Sequence, residues 1–204
     1  MLRTNLGLDS CQGRILLVSS PGEKEGKTTV AANLARAVAM QGRKVLLIDG
    51  DLRNPHIAAA FSMAEAEGLS GFLTGKNEPW SYIKQVDGVD IFPAGAATIK
   101  SAELLSSPRM KALLEKARQT YDVVIVDSSP IIGCADTIIL AKEVDEVLLV
   151  VQSRTSKMEL IRDSKQTLET TGVRVVGFVF TNVEPKECKY LQYPLENRPQ
   201  VQEE

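Results

Sequence analysis

The stretch Ser19–Thr29, SSPGEKEGKTT, decides the fold of this chain. It follows the apolar run Ile15–Val18, which is typical of a buried strand, and it leads directly into a helical pattern over 27–40. A strand, a glycine-containing loop and a helix start in this order indicate a phosphate-binding loop, because the first N–H groups of a helix and its dipole attract an anion. Lys27 supplies a mobile positive charge, and the hydroxyl of Thr28 can ligate Mg²⁺. The sequence therefore predicts a site for phosphate and magnesium.

The loop is a variant of the common pattern GxxxxGK[ST]. Gly26, Lys27 and Thr28 match the end of the pattern, but the position six before Lys27 is Pro21, and the first glycine comes one place later at Gly22. The alternative interpretation is a surface turn beside a lysine. The coincidence of strand, GKT and helix disfavours that alternative, so we expect a phosphate-binding loop of variant form.

Short apolar runs recur along the chain and alternate with helical patterns. Their continuous hydrophobicity predicts strands buried on both faces, as in a parallel sheet between helices. Helices are predicted over 27–40, after Ser107-Pro108 and over about 157–171. The fold class is therefore α/β, with a doubly wound, mainly parallel sheet and helices on both faces. The predicted strands are Ile15–Val18, Val45–Ile48, Val123–Val126, Val147–Val151, Val175–Phe180 and the weaker Val89–Phe92.

Acidic residues follow two of the predicted strands. One strand leads into Asp49 and Asp51, and another leads into Asp127. Because the carboxyl ends of parallel strands share one edge with the phosphate loop, these three carboxylates should face the same crevice. The sequence therefore predicts one magnesium–phosphate centre. Asp136, further along the chain, is interpreted as a helix-capping or first-turn residue rather than a metal ligand, with a position at the edge of the site as the alternative.

Composition excludes several classes of protein. The chain has 204 residues, a net charge of −2 and 44% hydrophobic residues, which indicates a globular domain. Its longest apolar run, Val175–Phe180, is far shorter than the roughly 20 residues of a membrane-spanning helix, and the N-terminus lacks the pattern of a secretory signal. The 24 basic and 26 acidic residues include no basic block. We therefore expect a cytoplasmic protein that binds no nucleic acid.

Two regions are expected along the chain. Residues 1–184 should form the phosphate-binding domain, and residues 185–204 should form a mobile tail, because they carry three prolines and few aliphatic side chains. Three widely spaced cysteines and a single histidine argue against a zinc site or a disulfide framework.

Three further strings, LLIDGDLRNP, YDVVIVDSSPI and ELLSSPRM, accompany the GKTT helix start. Together they resemble the cytoplasmic kinase domain of the bacterial tyrosine kinases, or BY-kinases, of capsule and exopolysaccharide assembly, over about residues 2–183. The resemblance implies a P-loop NTPase fold of the MinD/ParA-like group, with ATP and Mg²⁺ as cofactors. In that family the phosphate loop is called Walker A, the DxDxR segment Walker A′ and the third acidic strand end Walker B.

The resemblance also assigns roles by position. The implied nucleotide-binding residues are Gly22, Glu25, Gly26, Lys27, Thr28, Thr29 and, at the adenine, Asn182. The implied metal ligands are Thr28, Asp51 and Asp127. The implied catalytic residues are Asp49, which would act as the base, Lys27 and Asp51. The implied phosphoacceptors in the tail are Tyr190 and Tyr193.

The chemistry of these residues is compatible with a kinase but leaves alternatives open. A tyrosine hydroxyl has a pKa of roughly 10, so its attack on a γ-phosphate is helped by an aspartate that accepts the proton late. Asp49 could equally position a water molecule, which would give ATP hydrolysis. Tyr190 and Tyr193 could be acceptors, or they could pack on the body of the protein.

Several partners follow from the resemblance. It implies a membrane-anchored activator with a cytoplasmic segment, which would hold this protein at the inner face of the cell membrane. It also implies a phosphotyrosine phosphatase and self-association, although Arg3 alone remains of the ExxRxxR segment that the family uses in ring assembly.

The principal alternative function is a MinD/ParA-type ATPase switch that acts in positioning or partitioning. That class carries a second lysine five places before the loop lysine, and here that place is Gly22. A membrane-targeting member should also end in a basic amphipathic helix, whereas this chain ends in VQEE after Pro194 and Pro199. The sequence therefore favours the kinase.

Overall fold

A seven-stranded sheet forms the centre of the structure. The computed structural model describes residues 2–9, 11–64, 67–75 and 78–184. The strands are β1 Arg14–Ser19, β2 Val45–Asp49, β3 Lys84–Val86, β4 Val89–Phe92, β5 Val123–Asp127, β6 Glu146–Gln152 and β7 Arg174–Thr181. Their order across the sheet is β3-β4-β2-β5-β1-β6-β7, and all neighbours are parallel except the antiparallel pair β3 and β4.

Helices connect the strands. They are α1 Leu2–Asn5, α2 Lys27–Ala39, α3 Ile57–Ala60, α4 Leu69–Thr74, α5 Ser101–Leu105, α6 Pro108–Thr120, α7 Ala135–Ala141 and α8 Met158–Glu169, with a 3₁₀ turn over Pro79–Tyr82. The three predicted helices are α2, α6 and α8. At the start of α6, the Ser107 hydroxyl accepts a hydrogen bond from the Met110 N–H at 3.4 Å, and Pro108 occupies the first helical position. None of the described helices is long and apolar enough to cross a lipid bilayer.

Apolar side chains cover both faces of the sheet. On one face, Leu113 of α6, Leu140 of α7 and Leu168 of α8 belong to a single buried cluster with strand residues. On the other face, Leu34 of α2 and Ile57 of α3 belong to a second buried cluster. The predicted doubly wound α/β fold, with helices on both faces of a mainly parallel sheet, is confirmed.

The two edges of the sheet differ from the prediction. The run Val175–Phe180 lies in β7, but β7 is an edge strand whose Phe178 and Phe180 are 41% and 60% exposed. The expectation that this run is buried on both faces was therefore wrong, because its hydrophobicity does not reveal which strands flank it.

At the opposite edge, β3 was not predicted. It pairs with β4 through Asp87-Gly88, whose positive φ angles of 53° and 76° suit a tight hairpin turn.

The central strands bring the predicted functional segments to one edge of the sheet. β5 lies between β1 and β2, so Asp127 pairs with Val18 of β1 on one side and with Asp49 of β2 on the other. β1 ends at Ser19, and the phosphate loop begins at the following residue, Ser20. The parallel register therefore places two carboxylates and the loop beside one another.

Gly50 allows the chain after β2 to approach β5 closely. Its N–H donates to the Asp127 carbonyl oxygen at 2.8 Å. A Cβ atom at this position would lie 2.8 Å from the same oxygen and 3.1 Å from the side chains of Val126 and Leu140. A larger residue would therefore push the segment that carries Asp51 away from β5.

We expect Gly50→Ala to lower the free energy of unfolding by about 1–3 kcal/mol, because the new methyl group overlaps backbone that cannot move freely. Gly177→Ala in β7 is the matched control, since no atom lies within 4 Å of a Cβ built there. The control should change stability by less than about 1 kcal/mol. Urea denaturation of both variants measures the difference, and equal effects would contradict the proposed close approach.

Candidate active site

The loop between β1 and α2 is shaped to hold an anion at a helix start. Gly26 immediately precedes α2 and has a φ of 93°, in the left-handed region that favours glycine. A Cβ atom there would lie 3.3 Å from the methyl group of Thr181 at the end of β7. The N–H groups of the following turn have no acceptor within the helix, so they are available to a ligand. This geometry is that of a phosphate-binding loop.

Contacts inside the loop fix its shape. The Gly22 N–H donates to Oε1 of Glu25 at 3.1 Å, and the Ser20 hydroxyl donates to the Gly22 carbonyl oxygen at 2.5 Å. The Thr181 hydroxyl donates to the Glu25 carbonyl oxygen at 2.8 Å, which ties the loop to β7. Glu25 is buried, and this burial raises the pKa of its carboxyl group. The side chain of Glu25 therefore stabilises the loop through its hydrogen bond with the Gly22 N–H.

A cavity of about 520 Å³ lies in front of this loop. Its walls include most of the predicted nucleotide-binding residues, while Glu25 and Asn182 are not among its lining residues. Asn182 is exposed, directly follows β7 and has a φ of 54°. The predicted site residues that line the cavity are Gly22, Gly26, Lys27, Thr28, Thr29 and Asp51. The predicted acceptors Tyr190 and Tyr193, and the predicted tail 185–204 as a whole, lie outside the described residues.

Thr28 and Asp127 form the direct link between the loop and the sheet. The Thr28 hydroxyl donates to Oδ2 of Asp127 at 2.6 Å. The other oxygen, Oδ1 of Asp127, is buried and has no hydrogen-bond partner among the described residues. A buried carboxylate oxygen without a donor is unfavourable unless a ligand completes its surroundings. This atom is therefore available to a cation or to a water molecule bound to one.

Asp49 is buried beneath the segment that follows β2. Its Oδ1 accepts a hydrogen bond from the Asp51 N–H at 3.2 Å. Its Oδ2 accepts from the N–H groups of His56 at 3.1 Å and Ile57 at 3.0 Å. Asp49 is not among the residues that line the cavity. Its carboxyl group thus organises the backbone of residues 51–57.

Asp51 faces the cavity instead. It is half-buried, and its Oδ1 accepts hydrogen bonds from the Ser129 hydroxyl at 2.7 Å and from the Asn54 N–H at 3.1 Å. Ser129 lies two residues after Asp127, so this contact joins the segments that follow β2 and β5. The three predicted carboxylates lie at the same edge of the sheet, but Asp51 alone lines the cavity, whereas Asp49 and Asp127 are buried behind its wall. The expectation that all three face one crevice was therefore wrong for Asp49 and Asp127, because the chain after β2 and the side chain of Thr28 cover them.

Burial and neighbouring carboxylates perturb the two inner carboxyl groups. Burial, with a further contribution from Asp127, raises the pKa of Asp49 to about 8 from its usual 3.8, although backbone hydrogen bonds oppose the shift. Burial likewise raises the pKa of Asp127 to about 6, against the hydrogen bond from Thr28 and the charge of Lys27. Such shifts are typical of functional sites, where like charges are held together for a ligand.

The donor set fits Mg²⁺ bound together with phosphate. Mg²⁺ prefers oxygen ligands and commonly takes one or two carboxylates plus phosphate oxygens and water. Thr28, Asp51 and the free oxygen of Asp127 offer ligands of this kind. Within the described ranges, no group of three or more His, Cys, Asp or Glu side chains is arranged to hold a metal by itself. The ion would therefore need phosphate oxygens to complete its coordination.

Sequence reasoning missed an ion pair at the mouth of the cavity. Arg53 lines the cavity, and its guanidinium group binds both oxygens of Asp136, with Nε–Oδ2 at 2.9 Å and Nη2–Oδ1 at 3.3 Å. Asp136 lies in the first turn of α7, as interpreted from the sequence, but its side chain is fully buried. The one sequence feature that could have indicated this ion pair is the arginine two places after Asp51. No local pattern identified Asp136 as its partner. The contact of Ser129 with Asp51 was missed in the same way.

Comparison with known proteins places the chain among kinases. A family model described as an AAA domain matches residues 22–172. The chain is 35% identical over 196 residues to tyrosine-protein kinase YwqD of Bacillus subtilis, and the match covers 94% of this chain and 82% of YwqD. It is 34% identical over 193 residues to the putative tyrosine-protein kinase EpsB of Ralstonia solanacearum, with 93% of this chain covered but 26% of EpsB. The chain thus spans most of YwqD and about a quarter of EpsB.

A solved structure agrees with these relatives. The kinase domain of the Escherichia coli tyrosine kinase ETK superposes with a TM-score of 0.84 at 33% sequence identity, covering 89% of this chain and 73% of that one. The chain therefore belongs to the bacterial tyrosine kinases, the BY-kinases, and corresponds to their kinase domain.

Proposed function

We propose that this protein is an ATP-dependent protein-tyrosine autokinase that transfers the γ-phosphoryl group of Mg·ATP to tyrosines of its own C-terminal tail. The observation that carries the proposal is the link from Thr28 to Asp127, which leaves one buried oxygen of Asp127 free beside the phosphate loop. In a member of the BY-kinase family, such an arrangement suits a magnesium-bound nucleotide.

The phosphate loop would bind the nucleotide through its backbone. The N–H groups at the start of α2 would donate to phosphate oxygens, and the ammonium group of Lys27 would neutralise part of their charge. Thr28, Asp51 and Asp127 would hold Mg²⁺, which neutralises charge on the β- and γ-phosphates when it is bound. Glu25 would keep the loop in its binding conformation, and Asn182 would lie at the adenine.

In the transfer, the phenolic oxygen forms a bond to the γ-phosphorus while the bond from that phosphorus to the β–γ bridging oxygen breaks, and ADP leaves. The phenolic proton passes to an aspartate. Asp49 is our proposed acceptor. Its carboxyl group must be ionised to take the proton, and the positive charge of a bound Mg²⁺ would lower its raised pKa. Asp51 is the second candidate, because it lines the cavity while both oxygens of Asp49 accept backbone hydrogen bonds.

The wider role follows from the family. We propose Tyr190 and Tyr193 as the phosphoacceptors and the control of exopolysaccharide or capsule synthesis and export as the biological outcome. A membrane-anchored activator with a cytoplasmic segment would hold the kinase at the inner face of the membrane. Self-association would bring the tail of one copy to the site of another, and a phosphotyrosine phosphatase would reverse the modification.

Lys27→Met should abolish tyrosine phosphorylation, because the variant lacks the ammonium group that neutralises the phosphates. The purified chain is incubated with Mg·ATP, with and without a candidate activator segment, and phosphate is mapped by intact mass and peptide sequencing. Phosphotyrosine at Tyr190 or Tyr193 is expected in the parent chain. Lys165→Met, at an exposed position of α8, is the matched control and should retain it.

The same assay separates the kinase from the MinD/ParA-type switch. ATP turnover without phosphotyrosine under either condition, combined with nucleotide-dependent binding to DNA or lipid, would overturn the kinase proposal. Replacement of both tail tyrosines by phenylalanine tests the acceptors: phosphotyrosine that persists undiminished would place the acceptor elsewhere.

Asp49→Asn should abolish phosphoryl transfer while leaving ADP affinity within about threefold, because the variant cannot accept the phenolic proton. Asp51→Asn should weaken the Mg²⁺ dependence of nucleotide binding as well as transfer. Single-turnover transfer rates and ADP titrations, with Mg²⁺ or with a chelator, measure both effects. If Asp49→Asn transfers phosphate near the parent rate, the base is not Asp49, and Asp51 takes its place.

Stability of the nucleotide-free chain should fall as pH rises from about 5 to 8. The raised pKa values mean that the folded chain retains protons that the unfolded chain has released, on Asp127 up to about pH 6 and on Asp49 up to about pH 8. Each such proton contributes a slope of up to about −1.4 kcal/mol per pH unit. Asp49→Asn should flatten this slope in urea denaturation measured at several pH values.

The slope is the informative quantity, because Asp49→Asn also disturbs backbone hydrogen bonds and so changes the absolute stability at every pH. Asp163→Asn, at an exposed position of α8, is the control and should keep the parent slope. An unchanged slope in Asp49→Asn would show that Asp49 is ionised in the free protein.

A further inference from the structure

The segment 50–57 carries Asp51 and is held to the body by several contacts. The Asp49 carboxylate accepts hydrogen bonds from three of its N–H groups, and the side chains of Leu52 and Ile57 are fully buried. The first N–H of the segment is bound by the Asp127 carbonyl oxygen, and the Leu52 carbonyl oxygen accepts from the Thr98 N–H at 2.9 Å. The side chain of Asp51 is itself held by the Ser129 hydroxyl. Between these points the chain reaches the cavity mouth, where the side chain of Arg53 makes a further attachment. Arg53 thus adds a contact at the cavity mouth to the hydrogen bonds that hold Asp51 itself.

Arg53 binds with the geometry of a fixed clamp. Its two nitrogen atoms meet the two oxygens of Asp136 at 2.9 and 3.3 Å, a two-point contact that sets the orientation of the guanidinium plane. The side chain of Asp136 is fully buried and that of Arg53 is 49% exposed. Arg53 is the one cation that pairs with Asp136 among the described side chains. A buried carboxylate retains its charge only with such a partner.

The pair connects the two segments that shape the reaction centre. Arg53 follows β2 and Asp51, while Asp136 belongs to α7, which follows β5 and Ser129. The hydrogen bond from Ser129 to Asp51 and the Arg53–Asp136 pair thus join the same two segments at two points. Because the guanidinium group of Arg53 is 49% exposed, solvent weakens the contribution of the pair to stability.

We propose that Arg53 is a positioning residue: through its two-point contact with Asp136, it holds Asp51 against Ser129 and toward the phosphate groups of the bound nucleotide. The proposal rests on the proposed function, since it assigns Asp51 to the Mg²⁺–phosphate centre. Arg53 acts through the segment that it holds and needs no contact with the transferring group. Loss of the two-point contact should therefore impair Mg²⁺ use and turnover while free nucleotide still binds.

The test uses Arg53→Lys, which keeps the charge but loses the two-point geometry. In the full chain we expect kcat to fall about tenfold or more, because small displacements of reacting groups have large effects on rate. The Mg²⁺ concentration for half-maximal activity should rise at least about threefold. Affinity for ADP in the presence of a chelator should stay within about twofold. Arg118→Lys is the matched control, since Arg118 pairs with Asp145 at 2.8 Å and does not line the cavity.

Asp136→Asn is the second test variant, because it removes the charge on the other side of the same contact. Because both variants break one contact, the double variant Arg53→Lys/Asp136→Asn should be no more impaired than the worse single variant. Additive losses in kcat, or an Arg53→Lys enzyme with parent kcat and Mg²⁺ dependence, would overturn the proposal. If Asp136→Asn fails to fold, the Arg53→Lys measurements decide alone.

The two proposals can be tested separately by ADP titration. The quantity compared is the increase in ADP affinity when Mg²⁺ is added, which does not depend on phosphoryl transfer. If the parent chain shows this increase but transfers no phosphate to tyrosine, the kinase proposal fails. The positioning role is then tested by comparing the increase in the parent chain with that in Arg53→Lys. An increase that is the same in the parent and in Arg53→Lys would overturn the positioning role.

Discussion

The parallel register of β2 and β5 sets Asp49 beside Asp127, and the rest of the site depends on this pairing. Two carboxyl groups buried next to each other repel, and burial alone already disfavours their charged forms. The protein offsets part of this with the Thr28 hydroxyl, the Lys27 ammonium group and backbone N–H groups. One oxygen of Asp127 still lacks a donor among the described residues. The free oxygen and the phosphate-binding loop thus offer ligands to a cation and to an anion.

The three carboxylates differ in burial and therefore in their roles. Asp49 is enclosed and holds the backbone of the segment that follows β2, while Asp51 stands on the cavity wall. Asp127 connects the phosphate loop to the sheet through Thr28. Proteins commonly accept such unfavourable local arrangements at functional sites and compensate for them elsewhere. Here the compensation is a core that packs apolar side chains on both faces of the sheet.

Local pattern was sufficient for the parts of the fold that repeat a simple rule. The loop before Lys27, the long helices and the inner strands follow from periodicity and from the order of strand, glycine and helix. The same reasoning failed at the sheet edges. Phe178 and Phe180 look like core residues in the sequence but lie on an edge strand, and the short β3 carries no continuous apolar run.

The sequence by itself determined the α/β class, the phosphate loop and which acidic residues follow a strand, because these depend on neighbours within one turn or one strand. Only the tertiary structure decided which carboxylate is enclosed, which faces the cavity, and that Arg53 meets Asp136, 83 residues away. Contacts of that kind depend on strand order and register across the sheet. Sequence spacing does not encode strand order, so these contacts appear only when the whole sheet is assembled.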